Sequence, residues 1–121
     1  MDTRSSLGKK GEELAVALLK KLQYKILERN YKCLLGEIDI IAREKGILVF
    51  VEVKTRSNPD FGGPAAAVTA RKQRQISRVA LTYLNQKKLT DIPARFDVVT
   101  VELIAPAPRI ELIRDAFDLL Y

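Results

Sequence analysis

Asp39 and Glu52 are separated by twelve residues, and Lys54 follows Glu52 by two. Two carboxylates and a lysine at such spacing can build an acidic site if the chain folds back between them. Carboxylates held close together repel, and a divalent metal ion is the counter-charge that makes the arrangement favourable. The chain contains no histidine, so histidine general bases and histidine metal ligands are excluded. A metal here rests on oxygen ligands, which suits Mg²⁺ or Mn²⁺ rather than zinc.

The stretch Gly36–Arg56, GEIDIIAREKGILVFVEVKTR, is what must position these groups. It reads as two strands, 37–43 and 47–54, separated by a turn at Lys45-Gly46. Alternation places Ile38, Ile40, Ala42, Ile47, Val49, Val51 and Val53 on one apolar face. The other face takes Glu37, Asp39, Ile41, Arg43, Leu48, Phe50, Glu52 and Lys54. A two-residue turn pairs Glu44 with Ile47, Ile41 with Phe50, Asp39 with Glu52 and Glu37 with Lys54. A three-residue loop would slip the register by one and send Asp39 and Glu52 to opposite faces. The register that unites the apolar positions therefore sets the two carboxylates opposite each other, with Cβ atoms ~5 Å apart.

Residues 5–22 read as a first helix, with Leu14, Ala15, Leu18, Leu19 and Leu22 in one stripe. Glu12 borders that stripe and looks toward the protein body, whereas Glu13 faces solvent. A plain reading makes Glu12 a first-turn acid favoured by the helix dipole. Residues 24–31 form a strand. Residues 55–64, TRSNPDFGGP, are dense in turn formers and would emerge at the ionisable end of the hairpin. A second helix runs from about Thr69, its N-cap, to Lys87. Its apolar stripe is Ile76, Val79, Ala80, Tyr83 and Leu84, and Gln73 extends that stripe. Arg71, Arg74 and Arg78 form a separate basic ridge, either merely solvated or able to contact phosphates. A strand over 95–103, a short strand over 109–114 and a helical turn over 115–120 complete the chain. Helix, three strands, helix and further strands describe an α/β sandwich around one mixed sheet.

At 121 residues the chain is one domain, 1–121. Twenty-one lysines and arginines against 15 acids leave a net charge of +6. That excess favours a polyanion, nucleic acid or an anionic surface. A single cysteine, Cys33, excludes an internal disulfide and fits a reducing cytoplasm. No run approaches the ~20 apolar residues of a membrane span, and the first ten residues lack the apolar core of a secretion signal.

With these residues placed, the chain resembles the restriction-endonuclease-like nucleases of the PD…D/E-x-K type. Asp39 and Glu52-Val53-Lys54 supply the motif, with Ile38 where a proline would stand. GEIDIIA, LVFVEVKTR, FGGP and RFDVV also resemble a family of small uncharacterised bacterial proteins. Those proteins are predicted to be endonucleases distantly similar to archaeal Holliday junction resolvases. The resemblance covers nearly the whole chain and implies a metal-dependent DNA endonuclease, with branched or junction DNA among its substrates. It implies that Asp39, Glu52 and the Val53 carbonyl bind Mg²⁺ or Mn²⁺, with Glu12 completing the acidic cluster directly or through water. Lys54 would orient the attacking water and offset charge on the phosphate. Glu37 would salt-bridge Lys54 or join the acidic rim. On the second helix, Gln73, Lys72 or Arg71 would be the side chain serving the site. By charge and spacing, the ridge of Arg71, Arg74 and Arg78 would meet DNA phosphates, with Arg56 and the loop 57–64 as the alternative surface. Resolvase-like relatives act as two-fold symmetric dimers, so the resemblance admits a homodimer.

Two other readings stay open. One is a surface ladder of alternating charges with no site at all. The other is a non-catalytic nucleic-acid-binding module of the same fold, acting in a DNA-processing assembly. Arg95 and Asp97 read either as site residues or as a structural ion pair.

Overall fold

The computed structural model describes residues 4–57 and 68–119. Their elements are α1 (Arg4–Lys21), β1 (Lys25–Cys33), β2 (Gly36–Glu44), β3 (Ile47–Arg56), α2 (Ala70–Lys87), β4 (Ala94–Glu102) and β5 (Arg109–Phe117). The strands form one sheet in the order β1-β2-β3-β4-β5. Successive pairs are antiparallel except β3 with β4, which run parallel. The parallel pair follows from α2: a helical crossover returns the chain to the end of the sheet from which β3 set out. The result is the expected α/β sandwich around a mixed sheet. Among the described residues no helix is long and apolar enough to cross a membrane.

The hairpin forms in the register expected from its apolar pattern as far as Ile40–Val51, but the expected rungs Asp39–Glu52 and Glu37–Lys54 are not part of the ladder, because β2 parts from β3 there. Lys45 and Gly46 both have positive φ, 51° and 80°, the conformation of a tight hairpin turn. Glu44 pairs with Ile47, Ile41 with Phe50 and Ile40 with Val51. Leu48, Val49, Phe50 and Val51 are all buried, because β3 is the middle strand and is covered on both faces.

Each helix closes one layer. Ala15, Val16 and Leu19 of α1 pack with Ile40, Ala42, Val49, Val51, Val99 and Val101. Ile76, Val79, Ala80 and Tyr83 of α2 pack with Ile41, Leu48, Phe50, Phe96 and Val98. Thr69 caps α2 as expected, its hydroxyl accepting the Lys72 N–H at 3.2 Å. The buried face of α1 is shifted from the stripe its sequence suggests: Leu22 is exposed, while Val16 is buried.

Two expectations need amendment. Ile38 joins the α2 layer and not that of Ile40. The alternation breaks because the β2–β3 ladder stops at Ile40–Val51 and the β1–β2 ladder skips Asn30 and Asp39. Asn30 itself has φ 53°. The helical turn over 115–120 is replaced by strand as far as Phe117. There a bulge opposite Phe96 and Val98 lets the Asp115 N–H donate to Asp97 at 3.0 Å, while Phe117 stacks on Phe96 with centroids 4.9 Å apart. Residues 58–67, most of the loop singled out above, lie outside the described residues.

Candidate functional site

The site begins where β2 parts from β3. Past the last rung at Ile40–Val51, Asp39 turns its carboxylate onto the neighbouring strand. Its Oδ2 accepts the Val53 backbone N–H at 2.8 Å. A charged acceptor on a backbone donor makes a strong bond. It holds the aspartate at a defined place on the sheet.

Glu52 stands beside it. Its side chain is only 12% exposed, and its carboxyl is pushed up to about 8. Burial is the main cause, followed by the Asp39 charge and a hydrogen bond between the two carboxyl groups. Lys72 and Lys54 pull in the other direction without cancelling these effects. The Lys72 ammonium lies 3.7 Å from Glu52 Oε2. Two carboxyl groups thus share a low-dielectric place with too little positive charge around them.

α1 brings the third acid. Glu12 is 14% exposed along its side chain and Glu13 is 66% exposed, as their helical positions require. Gly11 explains how α1 comes so near. A Cβ at this position would lie 1.9 Å from Thr55 Oγ1 and 2.9 Å from Thr55 Cβ, so only glycine lets the helix backbone rest on β3. Glu12 and Asp39 line a common cavity of about 480 Å³ with Val53, Lys54 and Arg56. Glu12 is also tied down from the opposite side. Its Oε1 accepts from Asn30 Nδ2 at 2.9 Å and from Arg29 at 3.3 Å. Among the described residues, no three acidic, histidine or cysteine side chains stand close enough to form a metal cluster. Asp39 and Glu52 are therefore a pair, with Glu12 across the cavity.

The remaining candidates divide between two surfaces. Lys54 and Arg56 open into the cavity of Asp39. Arg71, Lys72, Arg74 and Arg78 line a separate cavity of about 550 Å³ on α2. Of the three side chains considered on α2, Lys72 contacts the site, because the Thr69 cap puts it in the first turn above Glu52. The Gln73 amide instead donates to the Val68 carbonyl at 3.0 Å. No ion pair joins Glu37 to Lys54 among the described residues. Glu37 pairs with Lys32 of β1, beyond the point where β2 leaves β3.

Arg95 and Asp97 form the structural ion pair, at 2.9 Å. Asp97 is completely buried and also accepts from the Tyr24 hydroxyl at 2.8 Å. Arg95 reaches Glu44 at 2.6 Å, and Arg114 reaches the other oxygen of Glu44 at 3.0 Å. This network ties the α1–β1 connection, β2, β4 and β5 together beside the Lys45-Gly46 turn.

Sequence reasoning missed Gly11, Asn30 and Arg29. A glycine within a helical pattern is a signal of close packing. Nothing local marks Asn30 or Arg29, because their meeting with Glu12 depends on how α1 crosses the sheet.

The model of the uncharacterised protein family UPF0102 matches residues 11–101. The chain is 58% identical over 119 residues to a UPF0102 protein of Geotalea daltonii, covering 96% of this chain and 92% of that one. It is 53% identical over 116 residues to one of Geobacter metallireducens, covering 96% and 95%. To one of Caldicellulosiruptor saccharolyticus it is 47% identical over 116 residues, covering 94% and 98%.

Proposed function

The chain belongs to the uncharacterised protein family UPF0102, and from the site geometry and the sequence resemblance we propose a metal-dependent nuclease that hydrolyses phosphodiester bonds in DNA. The observation that carries this reading is the pairing of Asp39 with the buried Glu52, whose carboxyl is pushed up to about 8 by burial and by the Asp39 charge beside it. The sequence resemblance to restriction-endonuclease-like nucleases and resolvases supports it. Branched DNA is the substrate class that resemblance favours.

The donor set suits a magnesium or manganese ion. It offers two carboxylates on adjoining strands, no sulfur or nitrogen ligand, and one Asp39 oxygen left over from the bond to Val53. Mg²⁺ is commonly held by one or two carboxylates and keeps waters for the rest. Asp39 and Glu52 would hold the ion, with the Val53 carbonyl close by, and Glu12 would act from across the cavity. The ion would supply Lewis acidity and neutralise charge at the phosphate. Lys54 shares the cavity with Asp39, where it can orient a water and balance the phosphate's charge. Lys72 offsets Glu52 before an ion binds. The basic ridge of α2 would hold the DNA backbone.

A cleavage panel of duplex, flap, single-stranded and four-way-junction DNA tests the reading. Wild type should cut at least one substrate with Mg²⁺ or Mn²⁺, and Asp39→Ala and Lys54→Ala should not. Equal products from wild type and Asp39→Ala would end it.

The hydrogen bonds holding Glu12 to Arg29 and Asn30 favour a second reading, a nucleic-acid-binding module without catalysis. Calorimetry separates the two. Binding of Mn²⁺ to wild type and not to Asp39→Ala supports the nuclease, and no heat from either supports the module.

A further inference from the structure

Leu34 and Leu35 form the turn between β1 and β2, bracketed by the Cys33–Gly36 pair. Two-residue hairpin turns are normally built from glycine, asparagine or aspartate. Here the turn holds two leucines, and Leu34 is 105% exposed and Leu35 49%. An apolar pair held out in water at a hairpin tip gains nothing from the fold itself.

The tip is held in place. Gln75 of α2 donates its Nε2 to the Leu35 carbonyl at 3.2 Å. Gly36 has φ 146° and lies so near that a Cβ there would meet Gln75 Nε2 at 2.8 Å. Leu35 then forms one wall of the α2 cavity whose other walls include Arg71, Lys72, Arg74 and Arg78. Arg71, Arg74 and Arg78 make no ion pair with any described residue. Lys72 runs from this cavity to Glu52, so the basic groove leads into the carboxylate pair.

We propose that the β1–β2 tip is a wedge for nucleic acid, with Leu34 packing against a base exposed at a branch while the α2 arginines hold the adjoining phosphates. The inference rests on the nucleic-acid part of the reading above and adds a determinant of substrate shape. Apolar side chains inserted at base steps are an established way to open or hold distorted DNA. The charge around the tip argues for a polyanion and against a second copy of this chain, whose identical cations would be repelled. The concave groove leading to Glu52 favours a strand over a flat lipid surface.

The test compares wild type, Leu34→Ser and Leu34→Trp in calcium, to suppress cleavage, on a four-way junction and a perfect duplex of equal length. Both DNAs carry a fluorescent adenine analogue, at the branch or at the matching duplex position. Wild type should prefer the junction and change the fluorescence there. Leu34→Ser should lose about tenfold on the junction, the loss expected for a leucine side chain partly taken out of water, with duplex affinity unchanged. Leu34→Trp should keep the preference, and melting curves should coincide since the side chain makes no buried contact. Four results would overturn the wedge: no preference in wild type; equal loss on both DNAs with Leu34→Ser; a dimer in sedimentation that Leu34→Ser dissolves; or binding to phosphatidylserine–phosphatidylcholine vesicles lost in Leu34→Ser with DNA preference intact. Junction preference without cleavage by wild type in Mg²⁺ or Mn²⁺ would remove the nuclease and leave the wedge standing. Cleavage without junction preference would do the reverse.

Discussion

Asp39 Oδ2 accepts the backbone N–H of Val53 at 2.8 Å, beyond the last rung of the β2–β3 ladder. A carboxylate thereby does the work of a strand carbonyl while standing next to Glu52. Asp39→Asn separates those two roles. The amide oxygen can still accept the Val53 N–H, and the repulsion with Glu52 disappears. In chelator above pH 8, Asp39→Asn should melt at a higher temperature than wild type, while any stabilisation by Mn²⁺ should vanish. Asp39→Ala also strands the Val53 N–H, at a cost of about 1–3 kcal/mol, and should melt below Asp39→Asn. Thermal melts with and without Mn²⁺ check both.

Glu52 makes stability depend on pH in a direction opposite to that of most carboxylates. Its folded-state value of about 8 lies above the ordinary 4.5, so the folded protein holds the proton more tightly than the unfolded chain. The contribution is complete below about pH 4.5 and is lost as pH rises through about 8. Within that window the metal-free protein should lose up to roughly 1.4 kcal/mol per pH unit. Glu52→Gln should flatten the slope. Denaturant melts at several pH values in chelator measure it, and parallel curves for the two proteins would refute the assignment.

Gly11 sets the distance between α1 and β3. Gly11→Ala gains about 1 kcal/mol of helix propensity, yet its Cβ would overlap Thr55. Overpacking of this kind costs about 1–3 kcal/mol, so the variant should be net destabilised. Adding Thr55→Ala removes the Oγ1 and Cγ2 clashes and should recover part of the loss. Chemical denaturation of both variants decides the point.

Arg95→Met should be among the most damaging substitutions away from the site. It leaves Asp97, with no exposed surface, and Glu44, 10% exposed, without their nearest cation. Removing one partner of a buried pair costs about 3–5 kcal/mol. The Tyr24 and Asp115 bonds to Asp97 should keep the loss near the lower figure. Mn²⁺ affinity should not change, because the network lies at the turn end of the hairpin. A fall in affinity equal to that of Asp39→Ala would instead make Arg95 part of the site.

The hairpin, its register from the turn to Ile40–Val51 and the approach of Asp39 to Glu52 were legible in the sequence, because apolar alternation with a two-residue turn admits one pairing that buries both faces. The positions of Glu12 and Glu13 followed from helical spacing, and the cap at Thr69 from its side-chain chemistry. The destination of Ile38 was not legible. It depends on β2 leaving β3 after Ile40 and on the positive φ of Asn30, a break imposed from the neighbouring strand. The turn expected over 115–120 became strand because Asp97 and Phe96, distant in sequence, offered Asp115 and Phe117 their partners. Lys72 was one of three candidates on α2, and only the packing of the helix over Glu52 separated it from Gln73. Local pattern determined which residues alternate, cap and turn, since those choices rest on backbone geometry within a few positions. The tertiary structure decided which charges meet, because Glu12 with Asn30, Lys72 with Glu52 and Arg95 with Glu44 come together only when the layers close.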